Sequence, residues 1–154
     1  MKFAIIILMA VAMGCATSRA SYKKEPVRVV KATSQRWYGG MEQSGWGTKY
    51  RFKVVHDKTA GITFDTIWIE NRAYIPQLSP YEIQHRADFG AIDTLTLYCE
   101  YHHSNNPMDE YRERPPLSVG PEYDGAALLI YRKEGIRFEY IISEITGLPE
   151  VYYP

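Results

Sequence analysis

Long apolar runs, cysteines and helical periodicity are all scarce in this chain of 154 residues. Only Phe3 to Met13 is continuously apolar, and Thr17, Ser18 and Arg19 follow it closely. A spanning helix needs roughly 20 apolar residues to cross about 30 Å of hydrocarbon, so this run is too short to span. With only two cysteines, Cys15 and Cys99, no disulfide framework is available. No amphipathic period of 3.6 persists beyond a turn or two, which excludes a helical bundle. Gly40 and Gly45 have the spacing of a phosphate loop, but Trp46 stands where the loop needs lysine. Ser44 lacks the glycine two places before it that a nucleophile elbow requires, since Glu42 is there. No cofactor motif remains. The formal net charge is zero and no dense Lys/Arg cluster is interleaved with aromatics, so nucleic acid is not an expected partner.

What is present begins at the front end. Lys2 precedes the apolar run, and small residues close it, which is the layout of an export signal rather than of a fold element. The residues leave two processing routes open. An ordinary signal peptidase can use Ser18-Arg19-Ala20 or Gly14-Cys15-Ala16. The other route follows from Ala12-Met13-Gly14-Cys15, which resembles the lipobox of bacterial lipoproteins through Gly14, Cys15 and their placement. That resemblance implies a signal peptide over 1–14 and a mature chain that starts at Cys15 with diacylglycerol and a third acyl chain, typically palmitate. It also implies a membrane-anchored cell-envelope protein, with Ala16 compatible with sorting to the outer membrane. Residues 15–25, polar and charged after the cysteine, read as a tether; its stretch 16–25 extends ~35 Å at most.

Residues 26–154 read as one domain, long enough to bury a core without staples. Period-2 patterns rich in Val, Ile, Thr and aromatics recur from Pro26 onward. Tyr50, Phe52 and Val54 alternate with Arg51 and Lys53, and Leu95, Leu97, Cys99 and Tyr101 share one side of another run. Cys99 therefore reads as a small buried hydrophobe. The expected class is all-β, a single antiparallel β-sandwich or barrel of six to seven strands. Ser79 to Arg86 is the one helix candidate, with a capping serine and Pro80 after it. The final pair of strands is predicted as a hairpin with a type I turn at Lys133-Glu134 and Gly135 left-handed, because glutamate is a poor residue at positive φ. That register sets Ile130 opposite Phe138 and Leu128 opposite Tyr140, with both rings inward.

Two stretches carry candidate sites. Between Gln35 and Tyr50, Gly39, Gly40, Gly45 and Gly47 are mixed with Trp37, Tyr38 and Trp46. These three aromatics either cap the core or form a stacking platform for a glycan or peptide, since flat rings offer large contact area with few rotamers to freeze. The second stretch holds His102 and His103, then a proline-rich connection to Glu122. Adjacent residues on a strand point to opposite faces, so the two histidines are not expected to chelate one metal ion. No catalytic residue is assigned. Residues 16–89 carry 12 Lys and Arg against 7 Asp and Glu, and 90–154 carry 5 against 11, so an interleaved sheet is expected to neutralise both halves.

Past residue 26 the body is similar to small lipoproteins that pair a "QRWYGG" opening (here from Gln35) with a "YDGAALL" hairpin (from Tyr123) and a Pro-ended tail (Leu148 to Pro154). The resemblance implies one β domain behind a lipid anchor and brings no activity with it. The expected function is a non-enzymatic structural or protein-interaction role at the envelope; the alternative is a tethered glycan- or peptide-binding module. One acyl chain holds a protein only marginally, and several on one residue make a durable anchor. Cys15→Ser is therefore expected to leave an unacylated chain, with Cys99→Ser still membrane-bound. Intact-mass spectrometry checks this; an unmodified mature chain beginning at Thr17 or Ser21 contradicts it.

Overall fold

The computed structural model describes residues 25–41, 44–78, 92–104 and 115–154. The signal segment 1–14, Cys15, the tether up to residue 24, the helix candidate at 79–86 and positions 105–114 of the proline-rich connection lie outside the described residues.

The described residues are all-β. Nine strands form two packed sheets, β1 (Val27–Tyr38), β2 (Trp46–Asp57), β3 (Ile62–Ile69), β4 (Arg72–Tyr74), β5 (Gln77–Leu78), β6 (Ile92–His103), β7 (Ala127–Lys133), β8 (Ile136–Ile142) and β9 (Thr146–Tyr152). The larger sheet has the order β5-β6-β2-β1-β9 and the smaller β4-β3-β7-β8. Neither closes on itself, so the architecture is a sandwich. The strand count exceeds six to seven because the short strands β4 and β5, on either side of Pro76, were not legible as separate elements. All pairs are antiparallel except β1 with β9, which is parallel.

The alternation read from the sequence sets the core. Phe52, Val54, Leu95, Leu97, Cys99 and Tyr101 on the larger sheet face Ile67, Ile69, Leu129 and Tyr131 on the smaller, all buried. Burial alone pushes the Cys99 thiol up to about 12, as expected of a cysteine packed as a hydrophobe. β7 does not alternate: Leu128 and Ile130 are buried on one face, Ala127, Leu129 and Tyr131 on the other. Its continuous apolar run thus marks a strand covered on both sides.

The chain changes sheets after β2. Asp57 caps a single 3₁₀ turn, Lys58–Ala60, by accepting from Thr59 N at 2.9 Å and Thr59 Oγ1 at 2.6 Å. These bonds hold the Asp57 carboxyl below its ordinary range. Gly61, left-handed at φ 55°, then releases the chain into β3.

The last hairpin forms, but its turn corrects the sequence-based register. Glu134 (φ 51°) and Gly135 (φ 83°) make a two-residue turn with both residues left-handed, and Tyr131 pairs with Phe138, Leu129 with Tyr140. A shift of one residue exchanges the two faces. The adopted register turns Ala127, Leu129 and Tyr131 into the core, and this outweighs a left-handed glutamate costing about 1–2 kcal/mol. Phe138 lies on the core side, its ring stacked on Tyr131 at 5.6 Å, yet 38% of it stays exposed because β8 is an edge strand. The expected inward burial of Phe138 is thus not met, whereas Tyr140 does pack against the core.

Glu134→Asn places a residue tolerant of this conformation in the turn and is expected to stabilise the fold by about 0.5–1 kcal/mol. Gly135→Ala is expected to destabilise it by about 1 kcal/mol or more. Urea unfolding of both variants measures the two signs; a loss of stability in Glu134→Asn contradicts the turn.

Candidate functional site

The two sheets are unequal in length. β1, β2 and β6 are 12 residues each, whereas β3 has 8 and β7 has 7. At one end they finish together, where the His56 ring meets Phe64 edge-on at 6.0 Å. At the other end the larger sheet projects past Ile69 and Ala127, leaving part of its inner face with no sheet opposite.

A strap formed by residues 115–126 roofs this projection. Arg72 Nη1 donates to the Pro115 carbonyl, Ser118 N to Asn71 O at 3.1 Å, and Tyr123 Oη to Trp68 O at 3.2 Å. Gly120 lies on the Trp68 ring so closely that a Cβ there would be 2.5 Å from it. Between strap and sheet lies a cleft of about 1100 Å³. Its floor is Ser34, Arg36, Thr48 and Tyr50; one wall is Ile145, Gly147, Leu148 and Glu150; the rim carries Glu70, Asn71 and Glu122. Glu70 and Asn71 form another two-residue turn with positive φ, 49° and 59°. This turn joins β3 to β4, with Ile69 paired to Arg72, and has the same left-handed geometry as the turn at Glu134.

Among the described residues that line the cleft, Arg36 is the only cation, against Glu70, Glu122 and Glu150. Its Nη1 is 4.0 Å from Glu150 Oε1, and both side chains are about half exposed, 52% and 45%. The hydrogen bond with Tyr38, and after it the neighbouring Tyr101 and Glu150, raise the guanidinium further above its ordinary value. It is a permanent positive charge.

The structure separates the three aromatics singled out from sequence. Tyr38 and Trp46 are cross-strand partners on the inner face beyond the cleft. Arg36 lies 5.9 Å from the Trp46 ring centroid, and Tyr101 meets that ring edge-on at 6.1 Å. Trp37 points to the opposite face. There it pairs with Gly47, and the missing side chain lets its ring reach His102 on the next strand, 5.7 Å away. The Lys49 ammonium sits 5.4 Å from the Trp37 ring and 5.2 Å from the Tyr153 ring, so the indole face is occupied. Trp37, Tyr38 and Trp46 therefore do not form one platform. His102 and His103 do diverge, toward Trp37 and Trp46 respectively. Among the described residues no three His, Cys, Asp or Glu side chains are grouped to hold a metal ion.

Arg36 and Glu150 were missed from sequence, whereas most of the strap falls in the proline-rich connection singled out there. One signal was available: the inner-face series Ala32, Ser34, Arg36 turns from apolar to polar where the core ends. No protein-family profile, curated protein or solved structure matches the chain.

An added methyl at Gly120 must push the strap off Trp68 and is expected to cost about 1–3 kcal/mol. Gly120→Ala should thus lower the melting temperature and accelerate exchange of the Ser118 amide, which is bonded to Asn71, while β2 stays protected. Arg36→Ala removes an exposed ion pair with Glu150, a bond with Tyr38 and a contact with the Trp46 ring, all at the surface, and should lower the melting temperature much less. The opposite ranking of the two variants contradicts this geometry.

Proposed function

We propose that the chain is a lipid-anchored envelope protein that works by protein interaction, holding an extended segment of a partner in the cleft. The observation that carries this reading is the position of the cleft. The described chain enters at Glu25 and Val27, beside His56, whereas the cleft is floored by Ser34 and Arg36. From Val27 to Arg36 the strand covers roughly 30 Å, so the opening stands clear of the tether. The lipobox-like Ala12-Met13-Gly14-Cys15 supports the anchor and, with Ala16, favours the outer membrane.

The lining favours a peptide over a glycan. A sugar needs an open aromatic face, but Tyr50, on the cleft floor, is buried. A peptide needs hydrogen-bonding partners for its backbone, and residues 115–123 belong to no strand. Among the described lining residues, three carboxylates against one guanidinium suit a segment carrying positive charge. Arg36 offers a fixed donor for a backbone carbonyl or a carboxylate of that segment.

A photocrosslinking residue at Ser34 or Val119 in the acylated chain tests the reading in intact envelopes. The expected result is one adduct with an envelope protein from these positions, absent from a probe at Thr63 and weakened by Glu150→Lys. Equal adducts from all three positions, or none from the cleft, contradict it.

A further inference from the structure

The outer face of the larger sheet collects positive charge that the sequence-level balance conceals. β1 and β2 both come from the basic half of the chain and lie side by side in the middle of the sheet, so the expected mutual neutralisation fails on this face. Arg28, Lys31, Lys53 and Arg51 are exposed there, with Lys49 further along. Among the described residues Glu100 is the carboxylate that accompanies them, and Lys49 already approaches it at 3.9 Å. Glu144 lines the same small hollow as Lys31, but among the described residues no ion pair joins them. On the outer face of the smaller sheet the charges are matched, Arg132 with Asp65 at 2.6 Å and Arg137 with Glu139 at 2.8 Å.

Lys31 and Lys53 are direct cross-strand partners. Like charges in that arrangement weaken a sheet. No structural gain offsets the repulsion here, since both side chains are exposed. We infer that this face docks on an anionic phospholipid surface, with the domain lying on its larger sheet and the cleft opening sideways. The inference rests on the anchored reading above.

Three observations favour a bilayer over a small anion. The charges spread along the strands, since Arg28 lies opposite Val55 and is separated from Arg51 by about 13 Å, so one small anion does not reach them all. Lysine and arginine stems let the charged heads settle among headgroups. The described chain begins at Glu25, three positions before Arg28, and the tether of ~35 Å at most keeps that end of the sheet close to the lipid on Cys15.

Amine footprinting of the acylated chain in vesicles reads the orientation. In vesicles containing phosphatidylglycerol, Lys31 and Lys53 should label severalfold more slowly than in phosphatidylcholine alone, with Lys58 and Lys133 unchanged. About 1 M salt, where the screening length falls to ~3 Å, should remove the difference. Identical labelling in both lipids overturns the inference. A second arm uses the full chain with Cys15→Ser, scored as the ratio of anionic to neutral vesicle partition. Lys31→Gln with Lys53→Gln should lower that ratio about 25-fold, from about fivefold per charge. An unchanged ratio, or retention on an anionic polysaccharide with no preference for anionic vesicles, also overturns it. Failure of the anchor alone shows separately, as a missing acyl mass, and leaves the second arm to decide.

Discussion

The parallel pairing of β9 with β1 is the constraint on which the cleft depends. β9 is an edge strand, its register with β1 shifts once near Pro149, and parallel pairs are slightly less stable per residue than antiparallel ones. Aromatic contacts on both faces hold it. Tyr152 stacks on Tyr38 at 4.9 Å, Tyr153 meets Trp37 edge-on at 6.1 Å, and Tyr153 N donates to Tyr38 O at 2.9 Å. Gly40 makes this closure possible, because a Cβ there would lie 2.4 Å from the Tyr153 carbonyl. The "QRWYGG" opening and the Pro-ended tail are thus two halves of one contact.

The rest of the arrangement follows from that contact. β9 supplies one wall of the cleft and the carboxylate that faces Arg36. Without it, the projecting end of β1 would be an open edge, a template for unwanted pairing. The same contact occupies Trp37 with Tyr153 and Lys49, turning the most conspicuous aromatic into a fastening rather than a ligand platform. Chemistry is left to the inner face, where backbone and carboxylates are accessible, and charge to the outer face.

Much of the fold was legible because half-buried strands write a period of two. Tyr50, Phe52 and Val54, and Leu95 to Tyr101, needed nothing more than alternation to be placed correctly. The hairpin at Glu134 was misread because local preference argued against a left-handed glutamate while the tertiary gain from burying Leu129 and Tyr131 was invisible. The parallel partner of β1 was equally hidden, since β9 lies more than a hundred residues away and shows its role only when it meets Tyr38. The site was the least legible part. Arg36 and Glu150 look like ordinary strand charges until the projecting sheet places them together, and the strap is defined by its bonds to Trp68, Asn71 and Arg72 and, at Ala126, to Ile142.

Amide exchange in a Gly40→Ala variant tests most directly whether this contact governs the cleft. The added methyl must displace Tyr153 and Pro154. The account predicts that amides of β9 from Leu148 to Tyr152 lose protection, while β7 and the Ser118 amide, held by Asn71, stay as slow as in the parent chain. Unchanged protection of β9, or a uniform loss across both sheets, would contradict it.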